Sequence, residues 1–172
     1  MKTLKQMPVP LAVVIMVVLI VIGIAFGNHN ALSSASKEPE AIMTEVSAMA
    51  SQRASTAKNL LVVANRNDVD TKNRTALEDA IAALEDAKRA DKVSSANKSL
   101  TFAANAVNEQ IQETADAQDK RLATGVMDEL TSQDKLISRR AASYNESLDS
   151  VRSLYRTLPM RWVIGGMPEV YQ

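Results

Sequence analysis

Between Ala41 and Leu158 the chain has no proline and only one glycine, Gly125, and nowhere does it alternate β-branched with polar residues over a strand's length. An alanine-rich stretch of this kind, free of breakers, has helix as its one regular option. Its apolar residues recur at helical spacing. Ile42, Val46, Met49, Arg53, Ala57, Leu60 and Ala64 mark one face of a first helix from about Pro39 to Arg66. Asn65 to Thr71 supplies turn chemistry, and Thr75 with Glu78 three residues on fits a capping box that opens a second helix to about Ala90. Asp91 to Ser95 reads as the next turn. A third helix on Leu100, Ala103, Ala104, Val107, Ile111 and Ala115 should end between Lys120 and Gly125, unless Gly125 is a tolerated mid-helix glycine.

The last helix carries the longest pattern. Val126, Leu130, Gln133, Ile137, Arg140, Tyr144, Leu148, Val151, Tyr155 and Leu158 follow at intervals of four and three, a heptad stripe that seeks partner helices. Four helices joined by short turns predict an all-α fold, an antiparallel four-helix bundle with long helices.

Ahead of the bundle, no charged residue falls between Met7 and Phe26. At about 1.5 Å per residue such a run crosses a hydrocarbon core of roughly 30 Å, which predicts an N-terminal single transmembrane helix. A cleaved secretory signal is the competing reading, with Lys2 and Lys5 before the run and Ala25-Phe26-Gly27 after it. Signal cores run about 7 to 15 residues, shorter than this one, which favours a retained anchor. The two lysines place the N-terminus in the cytoplasm and the bundle outside. The expected organisation is a short N-terminus and anchor (1–27), a juxtamembrane linker (28–40), the bundle (41–158) and an apolar C-terminal tail (159–172). His29 reads as a solvated linker residue.

Charge and composition narrow the function classes. Twenty Lys and Arg balance twenty Asp and Glu, and aromatics make up 3% of the chain, so neither the cationic surface nor the stacking platforms of a nucleic-acid binder are present. With no cysteine and a single histidine, thiolate metal sites, thiol nucleophiles, paired-imidazole centres and Ser-His-Asp chemistry are ruled out. Asp116, Asp119, Asp128, Glu129 and Asp134 lie near Lys120, Arg121 and Lys135 at helical spacing and read as a solvated charged face. Three glycosylation sequons, at Asn73, Asn97 and Asn145, match by chance in an Asn- and Ser-rich chain. No catalytic, cofactor-binding or metal-binding residue is expected.

The tail is the candidate interaction segment. Trp162, Ile164, Met167 and Tyr171 suit a bilayer interface or a docking patch for a neighbour, or else Trp162 and Ile164 cap the open end of the bundle. Tyr144-Asn145 is the pair most suggestive of a specific role, as a lock between helices.

Ile137, Arg139-Arg140, Tyr144-Asn145, Leu148 and Pro159, together with Arg53, Asn59 and Leu60 upstream, resemble the bacterial LemA family over nearly the whole chain. The resemblance implies a divergent member with a single membrane span and a helical domain. It also implies a role in membrane organisation, with no enzymatic residues to carry over. The expected activity is therefore a non-enzymatic, inner-membrane scaffold or adaptor that binds the membrane and a protein partner or its own copies. The alternative is an extracytoplasmic ligand-sensing domain that signals through a separate membrane partner.

Overall fold

The computed structural model describes residues 9–157 and 169–172. Among these are four helices and no strand: α1 (Val9–Arg66), α2 (Thr71–Asp86), α3 (Ala90–Thr114) and α4 (Ala117–Thr157).

The linker expected over 28–40 is instead the middle of α1, a single helix of 58 residues. Breaking the helix there would expose up to four N–H and four C=O groups at new termini. Continuing through Pro39 forfeits one backbone bond, at the Ala35 carbonyl, and costs about 3 kcal/mol. Pro39 also has a packing partner: it is buried beside Tyr144, Leu148 and Val151 of α4.

The two ends of α1 differ sharply. From Met16 to Phe26 its large apolar side chains are 44–72% exposed, and the first buried one is Leu32. This N-terminal part is long and apolar enough to cross a membrane, and almost none of it is buried against the rest of the chain. From Ile42 onward, the predicted face is the buried one: Ile42, Val46, Arg53, Ala57, Leu60 and Ala64 all lie inside, with Met49 half-buried.

The turns fall earlier than expected. Asp68 takes a left-handed conformation (φ 49°), which Asp tolerates better than most residues, and the Val69 N–H closes the end of α1 on the Ala64 carbonyl at 3.4 Å. The Asp70 side chain accepts from the Lys72 N–H (3.2 Å) and starts α2 at Thr71, ahead of the Thr75 box. Asp91 to Ser95 is helical, because Ala90, Val93 and Ser94 belong to the buried face of α3; the turn is the extended stretch around Ala87 and Arg89. Asp116 likewise ends the third helix early. Its carboxylate accepts from the N–H groups of Gln118 (2.9 Å) and Asp119 (2.8 Å), so α4 begins at Ala117 and Gly125 lies inside it.

Cross-helix partners run in ordered series. Along rising α1, Glu45 pairs with Arg140, Arg53 with Leu130, and Arg66 with Asp119, so the α4 partners descend. Lys58 pairs with Glu85 and Asn65 with Arg74, a descending series along α2. Arg53 meets Asn97 and, just past the end of α1, the Asp70 N–H meets Gln110, so the α3 partners ascend. Among the described residues α2 and α4 do not approach each other, so α1 and α3 form the short diagonal. Alanines make that close approach possible: Ala50, Ala54, Ala57, Ala96, Ala103 and Ala104 alternate in the core with Leu60, Leu77, Leu100, Ile111, Leu130 and Ile137.

Candidate functional site

From Val126 to Val151 the heptad stripe of α4 is its inner face; Leu158 lies outside the described residues. Leu130, Ile137, Tyr144, Leu148 and Val151 are buried, and Val126, Gln133 and Arg140 are half-buried. Arg140 turns outward to bond Glu45 at 2.6 Å, and that bond raises its pKa. Gln133 turns to Thr56 (2.9 Å) and Glu129 (3.0 Å).

One charged residue stays inside. Arg53 sits on the apolar face of α1 and is 2% exposed. Its Nε donates to the Leu130 carbonyl (3.2 Å), one terminal nitrogen to the carbonyl (3.1 Å) and side-chain oxygen of Asn97, and the other to Thr101 Oγ1 (2.8 Å). The Asp134 carboxylate lies 3.6 Å away and accepts from Asn97 Nδ2 at 2.7 Å. Burial lowers the Arg53 pKa and Asp134 opposes that shift; a guanidinium starts so high that it remains charged. This cluster ties α1, α3 and α4 together at one level.

The chain returns to this level at residues 169–172. Asn145 grips Tyr171 at both main-chain polar groups: its Oδ1 accepts from the Tyr171 N–H (3.0 Å) and its Nδ2 donates to the Tyr171 carbonyl (2.8 Å). The Tyr144 hydroxyl donates to the Glu169 carbonyl at 2.9 Å, and the Ser94 hydroxyl donates to the carbonyl of Gln172. Arg89 forms an ion pair with the Glu169 carboxylate, its Nε 2.9 Å from Oε2. Val170 and Tyr171 pack against the bundle core. Burial pushes the Tyr144 and Tyr171 hydroxyls up; Asp134 adds to the shift at Tyr171, while Arg53 opposes it. The arrangement is a dock for an extended segment, one that reads the main chain through four side-chain contacts and the side chains at Glu169 and Tyr171.

The predicted positions sort accordingly. Tyr171 is half-buried on its own bundle, while Trp162, Ile164, Met167 and Pro159 lie outside the described residues. Tyr144 packs beside Pro39 of α1, while its hydroxyl and the Asn145 side chain hold the tail. Arg53, Leu60 and Ile137 are core, and Asn59 is exposed.

The carboxylates do not form one solvated face. Asp116 caps α4, Asp119 pairs with Arg66 (2.7 Å), Glu129 accepts from Thr56 (3.2 Å), Asp134 turns to Arg53, and Asp128 is exposed. His29 is exposed on α1. Among the described residues no group of three or more His, Asp or Glu is placed to hold a metal. The residues not anticipated are Asn97, Ser94, Thr101, Asp134, Arg89 and Glu169. A signal existed for Asn97: stepping the third stripe back from Leu100 by three and four lands on Asn97 and Val93.

No family model, curated protein or solved structure matches the chain.

Proposed function

We propose that this chain is a membrane-anchored, non-enzymatic helical scaffold, a divergent LemA-like protein whose antiparallel four-helix bundle stands on a bacterial inner membrane with its N-terminus in the cytoplasm. The observation that carries the reading is the continuity of α1: one helix is bare and apolar at Met16–Phe26 and packed along one face from Ile42 onward. Large exposed apolar surface marks contact with lipid or partner, and a continuous helix transmits position and orientation from that contact to the bundle. Partners descending along α4 and α2, and ascending along α3, support the antiparallel arrangement.

The alternative, a ligand-sensing domain, has its best candidate in the cleft lined by Ser36, Pro39, Met43, Tyr144, Leu148 and Val151. That cleft is small, at about 180 Å³, and the larger hollows beside His29 (about 480 Å³) and Phe102 (about 570 Å³) lie open on the surface of single helices or helix pairs, where they enclose little of a ligand. The hollow beside Phe102 fits a surface contact better: Phe102 is 80% exposed over Ala76, Ala80, Ala83 and Ala103.

Alkaline carbonate washing of native membranes, followed by protease treatment of intact cells and in-membrane cross-linking, tests the reading. The expected result is a carbonate-resistant chain whose bundle is cut only from the extracytoplasmic side and which cross-links to protein. Release by carbonate, or capture of monomer and lipid alone, counts against it.

A further inference from the structure

We propose that the dock holding Glu169–Gln172 also receives the same segment of a second copy, so that neighbouring molecules in one membrane exchange tails. The proposal rests on the scaffold reading, which sets copies side by side at one height, and it names the scaffold's partner as another copy of this chain.

Three observations lead to it. The dock binds main-chain atoms through Tyr144, Asn145 and Ser94, and meets side chains through Arg89 at Glu169 and through the core that Val170 and Tyr171 pack against. Nothing in those contacts distinguishes a molecule's own tail from an identical one. The tail also sits at the rim, with Glu169 and Gln172 exposed and Val170 and Tyr171 half-buried, so it can leave without parting α1 from α4.

Reach is the third. Thr157 and Glu169 are twelve residues apart, as are Thr157 and Asn145. Twelve helical residues cover about 18 Å, while the same number of extended residues reach about 40 Å. The connection is thus about twice as long as the route to its own dock needs. The surplus, about 22 Å, spans two helix diameters of 10–12 Å and reaches an adjacent bundle. Confinement to a membrane then raises the local concentration of docks.

The chain has no cysteine, so introduced thiols are the only ones present. Full-length Ser94→Cys and full-length Gln172→Cys, one bearing a tag that shifts its mobility, are reconstituted together in phospholipid vesicles and oxidised. The double variant Ser94→Cys/Gln172→Cys reports the bridge within one molecule, and Ser95→Cys, on the exposed neighbour, sets the collision background. Tail exchange predicts a mixed-pair band severalfold above that background, lowered when Asn145→Ala is added to the Ser94→Cys partner. A mixed pair at background beside an efficient bridge in the double variant overturns the proposal. So does failure of the double variant to bridge, since the tail then does not lie at Ser94. Carbonate extraction of the same vesicles reads anchoring independently, so a retained protein without exchange counts against the exchange alone.

Discussion

Arg53→Met is the most informative single substitution. It keeps most of the side-chain volume and removes the charge with its four hydrogen bonds. The partners left behind are not equally harmed. The Leu130 carbonyl keeps its place in the α4 ladder, and the Asn97 carbonyl still accepts from Thr101 Oγ1 at 3.1 Å. Asp134 is 37% exposed and regains water. The Asn97 side-chain oxygen is the acceptor stranded in a buried site, at about 1–3 kcal/mol. Adding the loss of charge-assisted bonds brings the expected cost to about 3–4 kcal/mol. Adding Asn97→Leu removes the stranded oxygen, and the double variant should recover a substantial part of the loss. Urea unfolding of the full chain in detergent, followed by circular dichroism at constant m-value, measures both. A cost for Arg53→Met below about 1 kcal/mol, or additive costs in the double variant, would refute a cluster that works as a unit.

Three further outcomes are expected. Gly125 is mid-helix and exposed, and a Cβ there meets nothing, so Gly125→Ala should stabilise by about 0.5–1 kcal/mol, seen as a rise in Tm; a fall would show a contact at that face. Asn145→Ala should speed hydrogen exchange at the Tyr171 amide about tenfold, the equivalent of about 1.4 kcal/mol, while leaving core amides of α1 unchanged; equal loss in both would make the tail part of the core. Tyr144 and Tyr171 hold their protons more tightly folded than unfolded, so their contribution is fully present below the unfolded value near 10 and falls as pH rises through the folded values. Stability measured from pH 9 to 11 should therefore fall, and less steeply in Tyr171→Phe; equal slopes would contradict the burial of that hydroxyl.

Helix content and burial were legible because both follow from local periodicity. The α4 stripe from Val126 to Val151 and the α1 face from Ile42 to Ala64 are where spacing put them, and Arg66 ends α1 as expected. The turns were read less well, because Thr75 satisfies the same local pattern that Asp70 and Asp116 satisfy, and tertiary packing chose between them. The helix across 28–40 was missed because Pro39 and the Ser and Asn residues are weak helix formers individually, while the cost of two new termini is a property of the whole helix. The dock was partly visible: Tyr144-Asn145 and Tyr171 stood out, yet their meeting joins residues 26 apart, and neither spacing nor composition encodes a contact at that distance along the chain. Asp134 looked solvated because its neighbour Lys135 shares its helix, whereas its partner Arg53 comes from another.

The continuity of α1 is the claim on which membrane placement, height and tail exchange all depend. Spin labels at Asn30→Cys and Ser51→Cys, both exposed positions in an otherwise cysteine-free chain, bracket the 28–40 region, and double electron–electron resonance in vesicles reads the distance between them. Twenty-one helical residues give about 32 Å, so a narrow distribution centred near that value is expected. A broad distribution over many ångströms would mean a flexible joint between anchor and bundle and would contradict the account.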